Sequence, residues 1–460
     1  MVAQAQFRRL ASVPAFFAVR IACAVALLKV STTLLPVSAY GEFSQLVQFS
    51  AVLNVIAVGG TQNGLIRQSA AAEDEAALDS VYGAALLIWA GAALLMMIGL
   101  SVAAAKVSTV LIGRPDAAVG IAAIAALSLV AGPGQIWCSI LSGRKRVPAS
   151  LAAQASGLLA STAAAAIFVV KGQPQAAAIG FASGSLVSLV IAAALANRLH
   201  LRLGRWAAAA RQVPALIGYS AAFAATSGYG ALVLFGLRSV YREDFGPTSL
   251  GYWIAANRVS DMSTQLLGLF MVQFFVAHLA TIARPTDQRA FILRCWMAGT
   301  AIMAAVLVAF WVGSAWLVPL FLSKSFLPAV PVIRTYMIGD ALRVSASLAM
   351  FTAFSRGRPG RYAAIEIGTL SLMAAIALLL MRAGDARAPQ LAYVSAYAIT
   401  AMLVGLAFLW PAIRRRLHRP RPAPLVRRDE RRTPRPGSDE LPREFPLAPA
   451  GPSPAAPPRV

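Results

Sequence analysis

From about residue 15 to residue 411 the chain is a succession of apolar stretches, each about as long as a bilayer is thick and separated by short polar or basic connections. Crossing the hydrocarbon core takes about 20 helical residues, and lipid offers no partner to a backbone amide, so such stretches are read as spanning helices. They fall near residues 15–35, 44–66, 80–102, 117–141, 149–170, 176–196, 215–237, 249–278, 295–318, 332–354, 363–381 and 391–411. The expectation is an all-α polytopic membrane protein of about twelve transmembrane helices. Composition agrees: 13% of residues are charged, against roughly 25% in soluble domains, and the mean hydropathy is +0.68.

Lys and Arg are retained on the cytoplasmic side during insertion. With both termini cytoplasmic, the N-terminal arm, the exits of the even-numbered spans and the tail carry 28 of the 41 Lys and Arg. Examples are Arg8, Arg9, Arg144, Lys145, Arg146, Arg356, Arg358 and Arg361. Both ends are therefore expected in the cytoplasm. Insertion topology and the tail explain most of the net charge of +23, so nucleic acid is not an expected partner. Cys23, Cys138 and Cys295 lie in or beside apolar segments without a CxxC or a histidine cluster; they read as core residues, neither disulfides nor metal ligands. The opening segment, with Arg8 and Arg9 ahead of an apolar run ending at Val37-Ser38-Ala39, has the outline of a signal peptide. Arg20 and Lys29 inside the run argue for a retained first helix.

The basic connection Asn197 to Pro214 follows six spans and precedes six more. The expected organisation is an N-terminal six-helix lobe over 1–200, a C-terminal six-helix lobe over 201–417, and a tail over 418–460. "YGEFSQLVQFS" opens the second span and "LGYWIAANRVS" the eighth, so Gly41 and Gly251 each precede an aromatic residue, Phe43 and Trp253, by two positions. A repeat of six helices keeps its orientation, which makes the two lobes a parallel pseudo-repeat. The tail holds 12 of the 27 prolines between His418 and Val460. It is expected to be disordered, with Arg414 to Arg421 placed to adhere to anionic membrane lipids.

Ionisable residues inside a membrane are costly and tend to face a bundle interior or a wet cavity. Here they are Arg20, Lys29, Arg258, Asp261, Arg334, Asp340, Arg343 and Glu366, with Arg67 and Arg238 near span ends. Seven cations to three acids point to a cationic cavity for an anionic ligand such as pyrophosphate, which guanidinium binds bidentately. A second reading stays open: Arg258 with Asp261, and Asp340 with Arg343, are three apart on one helical face and could neutralise each other, while Lys29 could snorkel. Glu366 has no cation three or four residues away, which makes it a candidate proton site.

These residues occur within a wider pattern: "TQNGLIRQSA" after the second span, "SGRKR" after the fourth, "LRS" closing the seventh, "GYWIAANRVSD" opening the eighth, "FLSKSF" and "IGDALRVSASL" around the tenth, and "GRYAAIEIG" entering the eleventh. In order and spacing the chain, from about residue 15 to 416, resembles the bacterial O-antigen and enterobacterial common antigen (lipid III) flippases of the multidrug/oligosaccharidyl-lipid/polysaccharide exporter superfamily. The resemblance implies an inner-membrane protein moving an undecaprenyl-pyrophosphate-linked oligosaccharide to the periplasmic leaflet, its lobes opening alternately, with no cofactor. It also implies polysaccharide polymerases or other assembly enzymes as partners. Arg20, Lys29, Arg67, Arg238 and Arg343 match the family's cations and become candidate substrate-binding residues, joined by Arg258 on the in-span argument. Asp261, Asp340 and Glu366 match its acids and become candidates for proton coupling or ion pairing.

A glycan polymerase or ligase would need a large periplasmic loop, and a glycosyltransferase a nucleotide-sugar domain; the chain offers neither, and no enzyme is expected. The nearer rival is a small-molecule or drug exporter of the same superfamily, whose cavity would be acidic or apolar. A scaffold acting through the tail is the third reading.

Overall fold

A computed structural model describes residues 2–417 apart from 59, 200–205, 277, 280, 281, 283 and 357. The tail over 418–460 and the basic stretch 200–205 lie outside the described residues. The described residues form helices and turns, without strands: α1 (Val2–Leu34), α2 (Val37–Ala57), α3 (Gln62–Ala71), α4 (Glu75–Ile112), α5 (Ala118–Val130), α6 (Gly132–Gly143), α7 (Val147–Val170), α8 (Pro174–Ala196), α9 (Trp206–Phe270), α10 (Pro285–Phe321), α11 (Val330–Ser355), α12 (Pro359–Arg382) and α13 (Ala388–Leu417). Met1–Phe408 make one compact unit. This is the fold of a multi-pass membrane protein.

Local chemistry sets the ends. Proline opens α7, α8, α10 and α12, where its missing N–H costs nothing and its φ suits the first turn. Asp74 caps α4 by accepting from the Ala77 N–H at 2.6 Å, and Gly113 ends the same helix with φ +88°, a left-handed conformation that a side chain resists. The 65-residue α9 breaks at Gly246 (φ 83°, ψ 165°), which Pro247 follows, so it supplies two spans, arms 206–245 and 247–270.

Every expected span falls on a helix, with two corrections. The fourth is two helices, α5 and α6, jointed just before Pro133. The second, expected at 44–66, is α2 at Val37–Ala57, because Glu42 pushes a hydropathy window away from the helix start. The residues beyond it form the short α3. Eight segments of the described residues are long and apolar enough to cross a membrane. The other four spans, α2, both arms of α9, and α11, are less apolar and carry Gln48, Arg238, Asn257, Arg258, Asp261, Asp340 and Arg343.

Between α7 and α8 the approach is close. Gly157 and Ser161 face Gly184 and Ser188, and a Cβ on Gly184 would collide with the Ser161 backbone. Small residues four apart on two helices are how membrane helices gain contact where burial drives nothing. The odd-numbered spans end, and the even-numbered spans begin, at what we call the distal end. Its turns are tied together: Glu42 accepts from Arg114 at 3.2 Å and from Gln175 at 2.9 Å, and Tyr241 donates to the Ala386 carbonyl at 2.9 Å.

Candidate functional site

The two glycines singled out by the repeat meet. A Cβ on Gly41 would lie 3.2 Å from the Gly251 Cα, so α2 and the second arm of α9 approach backbone to backbone. That approach brings two guanidinium groups against α2 a turn or two further in. Arg258 donates to the Ser44 carbonyl at 3.3 Å. Arg238, from the first arm of α9, donates to Gln48 Oε1 at 2.7 Å and lies 5.8 Å from the Trp253 ring centroid. Arg238 is 2% exposed, and its Nε–H has no partner. A buried cation held by a neutral amide has no direct ion pair, and an unspent N–H is a donor for an incoming oxygen.

A partly open pocket of about 130 Å³ lies in the C-terminal half, between the arms of α9, α11, α12 and α13. Asp261, Arg343 and Glu366 line it together with Asn257 and the rings of Trp253, Tyr336, Tyr393 and Tyr397. This pocket has two carboxylates to one guanidinium, while Arg238 and Arg258 turn toward α2. Behind its wall Asp340, fully buried, accepts from Ser260 at 2.7 Å, Tyr393 at 2.8 Å and Ser263 at 3.1 Å. Arg343 donates to the Tyr393 hydroxyl at 3.4 Å and stacks 5.5 Å from the centre of Tyr397.

The charges three apart on one helix do not meet as closed ion pairs. Ion pairs join Arg114 to Glu42, Arg114 to Asp116 and Arg387 to Asp385; neither Arg258 with Asp261 nor Asp340 with Arg343 closes. Arg258 is drawn off by Ser44 and Asp340 by three hydroxyls. Lys29 donates to the carbonyls of Pro319 and Leu322, at 2.5 and 2.8 Å, and so serves the end of α10. Arg334 is similarly committed, to the Trp311 carbonyl and Ser314 Oγ at 2.8 and 2.7 Å. Arg20 on α1 and Arg67 on α3 are exposed and line neither the junction nor the cavity.

Reading the sequence missed Gln48, Asn257 and the aromatic wall. Tyr393 and Tyr397, four apart in the last span, were a legible signal of one polar-edged face. In the turn 383–387 Asp385 is held below the usual carboxylate range, first by the Arg387 backbone N–H and then by its guanidinium.

No family model and no curated protein matches the sequence. Solved structures do match by fold. A multidrug resistance MATE family transporter of the MOP superfamily, in an inward-facing conformation, superposes with a TM-score of 0.68 at 14% identity, over 85% of this chain and 93% of that one. The lipid II flippase MurJ, in an inward closed conformation, gives 0.67 at 11% identity, over 86% and 87%. An outward-facing MATE family transporter gives 0.54 at 16% identity, over 89% and 95%. The chain has the fold of MOP superfamily transporters.

Proposed function

We propose that this protein carries an undecaprenyl-pyrophosphate-linked oligosaccharide from the cytoplasmic to the periplasmic leaflet of a bacterial inner membrane, its halves opening alternately. The observation that carries the reading is the pair Arg238 and Arg258 where the halves meet. Both are bound to neutral acceptors, and one retains a buried, unused N–H. Pyrophosphate oxygens supply the missing negative charge and accept several N–H groups at once, while the lipid tail stays in the bilayer and the glycan takes a hydrated path. The better match to inward-facing than to outward-facing structures, together with the distribution of Lys and Arg, supports assigning the distal contacts to the periplasmic side. In this reading Arg20, Arg67, Arg238, Arg258 and Arg343 serve the substrate, Lys29 and Arg334 hold helices, and Asp261 and Glu366 exchange protons through the small cavity beside Asp340.

One observation favours a second reading, export of a small cationic molecule: the cavity itself holds two carboxylates and four aromatic rings, a lining suited to cations. The leaflet distribution of undecaprenyl-pyrophosphate-linked glycans in vesicles, with wild-type protein, Arg238→Gln and Glu366→Gln, separates the two. Flippase function predicts accumulation on the cytoplasmic face when the protein is depleted, and at least about a tenfold loss of rate in Arg238→Gln, the cost of one charged hydrogen bond. Wild-type distribution after depletion, with toxic-cation efflux lost in Glu366→Gln, would overturn it for the exporter.

A further inference from the structure

The commitment of Lys29 to the end of α10 has a counterpart. Arg242, on the first arm of α9, donates to the Thr109 carbonyl at 2.8 Å and to the Val110 carbonyl at 3.4 Å, the last turn of α4. In one case a cation from the N-terminal half covers the C-terminal end of a helix in the C-terminal half; in the other the roles reverse. The correspondence extends to position. Gly251 lies 210 residues after Gly41, and Pro319 lies 210 residues after Thr109. Lys29 and Arg242 sit on the first and seventh spans, within one helical turn of that same spacing. Gly41 and Gly251 touch, as residues astride a twofold pseudo-axis must.

From this symmetry we propose that Lys29 and Arg242 are paired latches that hold the distal end shut. Each works by the same chemistry. The last carbonyls of a helix carry the negative end of its dipole and have lone pairs to spare, even at Thr109, which also accepts the Gly113 N–H at 2.8 Å, so a cation there gains both a hydrogen bond and a charge interaction. Each latch also has a fitted seat. Ser323 Oγ donates to the Thr32 carbonyl at 2.6 Å beside Lys29, and a Cβ on Gly113 would stand 3.0 Å from the Arg242 guanidinium. Gly113 therefore both ends α4 and leaves room for the arginine. Because the acceptors belong to the opposite half, the halves cannot part at this end without breaking four cation-to-carbonyl contacts.

The inference rests on the reading that the halves open alternately, and its test needs no substrate. Lys171 and Lys324 are exposed in distal turns of the two halves, and the native cysteines are buried, so Lys171→Cys and Lys324→Cys accept spin labels selectively. With both latches intact the label pair should give one short distance in lipid nanodiscs. Lys29→Met with Arg242→Met should raise the population at longer distance about tenfold or more, each single variant should give part of that rise, and Lys29→Arg with Arg242→Lys should restore the short distance. An unchanged distribution in the double neutral variant overturns the proposal. If that variant is not recovered folded, unchanged distributions in both single variants do the same. A double variant that opens while lipid-linked glycans keep their wild-type leaflet distribution would remove the flippase reading and leave the latches standing.

Discussion

Gln48 is the only side chain that accepts a hydrogen bond from Arg238 among the described residues, so a neutral amide sets the cost of burying that charge. Gln48→Leu leaves a guanidinium without its acceptor and should lower stability by about 2–3 kcal/mol, read as a lower unfolding temperature in detergent. Gln48→Glu should recover that stability by supplying a counter-charge. It should also slow movement of an anionic substrate, since the charge the pyrophosphate would meet is already neutralised. None of this pairing was legible in the sequence. The in-span charges were visible one by one, but the nearest opposite charges along the helix were not their partners. Asp340 is satisfied by hydroxyls 80 and 53 residues away, and local spacing holds no trace of contacts made between helices.

At the scale of helices the sequence was more informative. Twelve apolar stretches found twelve spans, and the short Gly-x-aromatic pattern in the second and eighth marked where two of them touch. What misled the reading was polarity inside a span. Glu42 displaced the predicted start of α2, and the four spans that face the junction are less apolar than those that face lipid. The packing of α7 on α8 offers a clean test of the opposite regime, where shape alone holds two helices together. Gly184→Val would drive a branched side chain into the Ser161 backbone and should cost about 1–3 kcal/mol, seen as loss of folded protein in a thermal melt. Ser188→Ala, which keeps the small contact, should cost well under half as much.

For the whole molecule, the excess of cations over acids was legible but its distribution was not. Seven cations read as one anionic-ligand cavity are spread over a junction, the pocket of the C-terminal half, the end of α10, the body of α10 and exposed surface. Folding sorts charges by which acceptors reach them, and that order depends on tertiary contacts that composition does not encode. The tail can be tested at this scale without knowing its structure. A chain ending at Leu417 should keep wild-type transport of lipid-linked glycan if the membrane-spanning part is the carrier, and a complete loss with normal insertion would favour the scaffold reading instead.

The contacts of Lys29 and Arg242 use main-chain oxygens, and these take up no proton over the range in which carboxylates do. Acidifying the medium would neutralise a gate closed by aspartate or glutamate and let it fall open; a gate closed on helix ends stays shut. A proton taken up along the transport path would leave this seal in place, so that sensing a proton gradient and keeping the barrier are separable tasks.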